Sequence, residues 1–112
     1  MNIEELREFC LSLPGVTEDI KWENNLAFSV GGKLFCLADL EPPLRASFKV
    51  PEEEFDEITL TDGIMQAPYF ARGKWVMVTA EGVLGRKDWE NQLARSYRLV
   101  KANLPKKIRD TL

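Results

Sequence analysis

Leu26-Ala27-Phe28-Ser29-Val30-Gly31-Gly32-Lys33-Leu34-Phe35-Cys36-Leu37 reads as two extended runs hinged on a glycine pair. In the first run Leu26, Phe28 and Val30 alternate with Ala27 and Ser29, and the second resumes at Leu34 and continues through Cys36 or Phe35 and Leu37. A period of two marks a strand with one buried face. Two central glycines accept positive φ without a Cβ clash, so the pair predicts a tight β-hairpin. A hairpin makes the neighbouring strands antiparallel, and the apolar face of such a sheet has to be covered by helices supplied elsewhere in the chain.

Working outward, the upstream segment predicts a helix from about residue 3 to 12. Asn2 stands at its N-cap with Glu5 three residues on, the spacing of a reciprocal capping box. Ile3, Leu6, Cys10 and Leu13 recur at helical spacing with Phe9 beside them, and Leu13-Pro14-Gly15 ends the run. Val16 to Trp22 reads as a strand or edge segment, and Glu23-Asn24-Asn25 as a turn.

Downstream, Glu41-Pro42-Pro43 breaks the pattern before Leu44 to Val50, where Ala46, Phe48 and Val50 share one face. Pro51 opens a short helix at its first position, Glu52, Glu53 and Glu54 complement the positive end of its dipole, and Phe55 and Ile58 are its core contacts. After the loop Thr61-Asp62-Gly63, the stretch from Ile64 to Phe70 contains Ala67-Pro68-Tyr69, whose proline suits an edge. A turn at Arg72-Gly73 and the run Lys74 to Ala80 complete a second expected hairpin. The last helix carries Trp89, Leu93, Ser96, Tyr97, Val100 and Leu104 on one stripe until Pro105, with Lys87, Arg95, Arg98 and Lys101 on the other side. A short basic tail with one further helical turn follows.

The order α, three or four strands, α, two strands, α predicts an α+β two-layer sandwich. It has an antiparallel sheet of about five or six strands, with helices packed on one face. With 45% hydrophobic and 29% charged residues over 112 positions, one core and one domain, residues 1–112, are expected.

Composition also narrows the chemistry. The chain has no histidine, which removes the commonest general base and the commonest metal ligand. Cys10 and Cys36 lack C-x-x-C spacing and are too few for a four-ligand zinc site. Cys10 falls near a helix C-terminus, where the dipole opposes a thiolate, so core packing is expected for both cysteines. No phosphate-cradling glycine motif precedes a helix. Trp22, Trp75 and Trp89 could stack bases, but large aromatics usually anchor a core, where Trp89 and Trp75 are expected. No apolar run approaches the ~20 residues of a membrane span, and the acidic start Met1-Asn2-Ile3-Glu4-Glu5 differs from the basic start of a signal peptide. These observations predict a cytoplasmic, non-enzymatic binding protein with reduced thiols, no cofactor, no metal and no membrane partner.

The net charge of −3 conceals a split: residues 1–84 carry 7 basic and 15 acidic side chains, whereas residues 85–112 carry 8 basic and 3 acidic. A basic helix strip can neutralise phosphates and release counterions, and four such contacts would give a salt slope of about −3.6. A solvated helix exterior would carry the same residues.

Six short stretches then bear on identity: Leu13-Pro14-Gly15-Val16, Gly32-Lys33-Leu34-Phe35, Phe48-Lys49-Val50, Ala67-Pro68-Tyr69, Lys74-Trp75-Val76, and Ser96-Tyr97 followed by Leu104-Pro105-Lys106-Lys107. In this order and over nearly the whole chain the sequence resembles the MmcQ/YjbR family. The resemblance implies a small α+β fold described as CyaY-like or secretion-chaperone-like, with hairpins likened to a double wing, and a label of DNA binding that rests on that likeness. Carried onto this chain, it singles out Lys33, Lys49 and Lys74, with Ser96 and Tyr97 on the last helix. The three lysines suit phosphate contacts if their strands align them, and they equally suit protection of sheet edges.

Two functional readings result. One is weak or nonspecific DNA binding through phosphates by Lys33, Lys49, Lys74, Lys87, Arg95, Arg98, Lys101, Lys106 and Lys107. The other is a protein-interaction or chaperone-like module, dimerising with itself or taking another protein on a sheet face or edge.

Overall fold

A computed structural model describes residues 1–68 and 74–112 of the chain. Its elements run α1 (Ile3–Ser12), β1 (Val16–Lys21), β2 (Asn25–Val30), β3 (Lys33–Asp39), β4 (Ala46–Lys49), a 3₁₀ turn at Glu52–Glu54, α2 (Phe55–Thr59), β5 (Ile64–Gln66), β6 (Trp75–Val78), a second 3₁₀ turn at Glu81–Val83, α3 (Arg86–Ala102) and α4 (Lys106–Arg109). The six strands form one antiparallel sheet in the order β1-β2-β3-β4-β6-β5. The α+β sandwich expected from the hairpin is thus the fold.

Local chemistry explains most boundaries. The Asn2 side chain accepts the amide of Glu5 at 2.8 Å while the Asn2 amide donates to Glu5 Oε1 at 3.1 Å, which closes the capping box and fixes the start of α1. Gly31 and Gly32 turn the β2–β3 hairpin with φ of 57° and 81°. At Gly31 a Cβ would also lie 2.6 Å from Leu104 Cδ1, so the turn is seated against the segment joining α3 to α4. Trp22, expected at the end of a strand, lies instead with Glu23 in the left-handed region, at φ 52° and 67°. β1 ends before it, at Lys21. Pro51 sits one position outside its expected place, as the cap of the 3₁₀ turn.

Leu26, Phe28 and Val30 of β2, Phe35, Cys36 and Ala38 of β3, Ala46 and Phe48 of β4, and Val76 and Val78 of β6 meet Leu6, Cys10, Trp89, Leu93, Tyr97 and Val100 from α1 and α3 in one continuous core. Trp89 is fully buried, edge-on to Phe48 at 6.1 Å, and Phe35 meets Tyr97 edge-on at 5.6 Å. Such contacts add about 0.5–1.5 kcal/mol to what area burial supplies. Two longer-range bonds set the helices on the sheet. Tyr97 donates its hydroxyl hydrogen to the Pro14 carbonyl at 2.6 Å, and Arg7 pairs with Glu18 at 2.6 Å, joining α1 to β1.

Two expectations bear on the second hairpin. β5 and β6 pair antiparallel from Ile64–Val78 to Gln66–Val76. The turn placed at Arg72-Gly73 lies outside the described residues. β6 takes the place beside β4 and leaves β5 at the edge, an order that no local pattern encodes.

Candidate anion-binding cleft

The β3–β4 ladder runs from Ala38–Ala46 to Cys36–Phe48 and stops there, one residue short of the end of β4. On its other side β3 meets a register shift between Phe28 and Ser29 of β2, opposite the Leu34-Phe35-Cys36 stretch. It turns both Phe35 and Cys36 into the core, where both are fully buried. The next rung is taken by a side chain. Ser96 of α3 donates its hydroxyl hydrogen to the Phe35 carbonyl at 2.7 Å and accepts the Lys49 amide at 2.9 Å. β4 meanwhile stays paired with β6 to its end, with Lys49 opposite Trp75.

Beyond the Ser96 bridge the parted strands leave a cleft of about 290 Å³ lined by Lys33, Leu34, Lys49, Trp75, Val100 and Asn103. Leu34, Trp75 and Val100 give it apolar walls, and Asn103 brings a side-chain amide from the C-cap of α3. Among the described residues the charged groups lining it are both lysines, with no carboxylate. Among the described residues neither Lys33 nor Lys49 enters a salt bridge. The stretches Gly32-Lys33-Leu34-Phe35, Phe48-Lys49-Val50, Lys74-Trp75-Val76 and Ser96-Tyr97, distant in sequence, all meet at this end of the sheet.

The remaining expected cations fall into three groups. Lys74 is beside the cleft, its carbonyl accepting the Val50 amide at 2.8 Å, while its ammonium group lies over the Phe55 ring at 4.9 Å. Lys101, in the last turn of α3, lies over Tyr97 at 5.6 Å, and Lys106 and Lys107 are on α4, which packs at the Gly31 turn through Ile108. These belong to the same end of the molecule as the cleft. Arg95 is set apart, since Glu54 holds its guanidinium at 2.9 and 3.0 Å and Gln92 accepts a further bond at 2.9 Å. Arg98 is exposed nearby. Lys87 is exposed in the first turn of α3, about 24 Å of helix from Asn103. Glu54 therefore takes Arg95 out of the expected strip of four cations along α3.

The sequence does not single out Leu34, Val100 and Asn103 as site residues, and for Trp75 it favours the core over base stacking. Trp75 is 7% exposed, so the core assignment is right, and the cleft draws on its remaining surface. Among the described residues no group of three His, Cys, Asp or Glu side chains could hold a metal ion, and no helix is long and apolar enough to cross a membrane. Cys10 and Cys36 are free thiols buried in the core. A side-chain hydrogen bond with Cys10, then burial, pushes the Cys36 thiol well above its ordinary range.

Residues 11–99 match the YjbR family model. A crystal structure of a Deinococcus radiodurans protein with a DUF419 domain superposes with a TM-score of 0.86 at 28% identity, covering 98% of this chain and 86% of that one. A Pseudomonas syringae protein shares the fold with a TM-score of 0.74 at 19% identity, over 89% of this chain and 99% of that one. Comparison with curated protein sequences gives no match.

Proposed function

The chain belongs to the YjbR family, and from that premise we propose that it is a non-enzymatic binding protein. It holds DNA weakly and without sequence preference, through phosphate contacts at the Lys33–Lys49 end of the sheet. The observation that carries this reading is the cleft itself: two lysines facing one concave space, with no carboxylate among the described residues that line it. Ammonium groups in that setting attract a phosphate oxygen with charge-assisted hydrogen bonds, and Lys74, Lys101, Lys106 and Lys107 extend the positive field around it. The overall acidity of the chain makes the interaction local and weak. Asn91, Gln92, Arg95 and Arg98 gather on α3, but Glu54 and Gln92 already hold the Arg95 guanidinium, which weakens that group as a reader of base edges and favours binding without sequence preference.

Fluorescence anisotropy of a labelled duplex across a salt series tests this. Wild type should bind at low salt, and Lys33→Glu with Lys49→Glu should abolish binding. Equal affinity of the two proteins would refute the cleft as the phosphate site.

A second reading, a protein-interaction module, draws on the edge strands. Ile20 on β1 is 58% exposed and Met65 on β5 is 47% exposed, and an edge strand offers unpaired backbone groups to another chain. Light scattering coupled to size exclusion decides it: a dimer lost in Ile20→Lys supports the reading, and a monomer at every concentration counts against self-association.

A further inference from the structure

The cleft has two properties that a simple phosphate patch does not need. Its walls are apolar and aromatic, from Leu34, Trp75 and Val100, and it is concave. Its volume of about 290 Å³ lies at the lower edge of the range for small-molecule sites, room for a single ring system and its phosphate, and too little for a base pair. The positive field is also confined. After Val50 and Pro51 comes the acidic turn Glu52–Glu54, whose Glu54 already neutralises Arg95. A duplex backbone offers a line of phosphates and no free ring, whereas an unpaired nucleotide offers one phosphate joined to one exposed π-face.

We infer that the Lys33–Lys49 cleft takes one unpaired nucleotide, its phosphate between the two ammonium groups and its base in the gap between β3 and β4 against Trp75, Leu34 and Val100. The Asn103 amide, which both donates and accepts, stands at the mouth to bond the base edge. Stacking of this kind tolerates any base, because every base has a π-face. The site is held open by the Ser96 hydroxyl, which occupies the hydrogen-bonding positions through which β3 and β4 would otherwise close. The inference rests on the phosphate-binding reading above and narrows it to single-stranded ends or free nucleotides.

The test is a titration of isotope-labelled protein, followed through the Trp75 indole N–H and the Asn103 side-chain amide by NMR. The probes are adenosine monophosphate, adenosine, inorganic phosphate, a short oligo-dA strand and a duplex. Adenosine monophosphate should shift both signals, with adenosine about tenfold weaker for loss of the charged contacts and inorganic phosphate about tenfold weaker for loss of the ring. Lys49→Glu should remove the response and Lys87→Glu should leave it intact. The strand binding more tightly than the free nucleotide identifies a nucleic-acid end as the source, and the reverse order identifies the free nucleotide. If the duplex binds through the same lysines but adenosine monophosphate and the strand move neither signal, the nucleotide inference is wrong and phosphate binding stands. If no probe binds, both fall.

Discussion

The hydroxyl of Ser96 accepts the backbone amide of Lys49 at 2.9 Å, so a helix side chain fills a position that a neighbouring strand would normally hold. The same oxygen donates its hydrogen to the Phe35 carbonyl at 2.7 Å, and the serine is fully buried. One hydroxyl thus satisfies two main-chain groups and fixes how far apart β3 and β4 stand at the mouth of the cleft.

Ser96→Ala should therefore cost more than a lone hydroxyl. It strands a donor and an acceptor in the interior, and the expected loss is about 1–3 kcal/mol. The urea midpoint should fall while its slope stays unchanged. A midpoint equal to wild type would show that the two strands close on each other without the serine.

Tyr97 offers a milder comparison on the same helix. Tyr97→Phe keeps the edge-on ring contact with Phe35 and removes only the bond to the Pro14 carbonyl. The expected cost is about 0.5–1.5 kcal/mol, read from the same denaturation experiment.

Arg95 and the cleft lysines should separate stability from binding. Arg95→Glu brings a second carboxylate against Glu54 and should lower stability by about 1 kcal/mol while leaving the salt slope of duplex binding unaltered. Lys33→Ala and Lys49→Ala should each reduce the magnitude of that slope by about 0.9, with no change in the urea midpoint.

The thiol pair predicts an alkaline limit. An unfolded cysteine ionises near ~8.5, whereas in the fold the hydrogen bond with Cys10, followed by burial, keeps Cys36 neutral to higher pH. The native state therefore binds the proton that the unfolded chain releases. Its contribution to stability is complete below ~8.5 and is lost as pH rises from there through the raised folded value. Urea midpoints measured from neutral into alkaline pH should show this fall, and Cys36→Val should flatten it. Iodoacetamide should label neither cysteine until the protein unfolds.

The parts of the molecule governed by near neighbours were legible from sequence. The Asn2–Glu5 box and the Leu13-Pro14-Gly15 stop bound α1 because caps act within one turn, and Gly31-Gly32 fixes its hairpin because φ is a local variable. The stripe from Trp89 to Val100 gave the buried face of α3 for the same reason. The cleft was only half legible. The family resemblance singled out Lys33 and Lys49, but their meeting with Trp75, Val100 and Asn103 depends on β6 settling beside β4. Alternation left Phe35 and Cys36 as rival core residues, and the bulge resolves this by burying both. Arg95 reads from the sequence as one of four cations on the outer side of α3, and its pairing was not legible because its partner, Glu54, is 41 residues away.

The most direct measurement of the central claim is a map of amide shifts in labelled protein as duplex DNA is added at low salt. The account predicts that the largest changes fall on Lys33, Leu34, Lys49 and Asn103, lesser ones on Lys101, Lys106 and Lys107, and none on Lys87. Shifts centred on the first turns of α3, or on the β1 edge with the cleft unmoved, would contradict it.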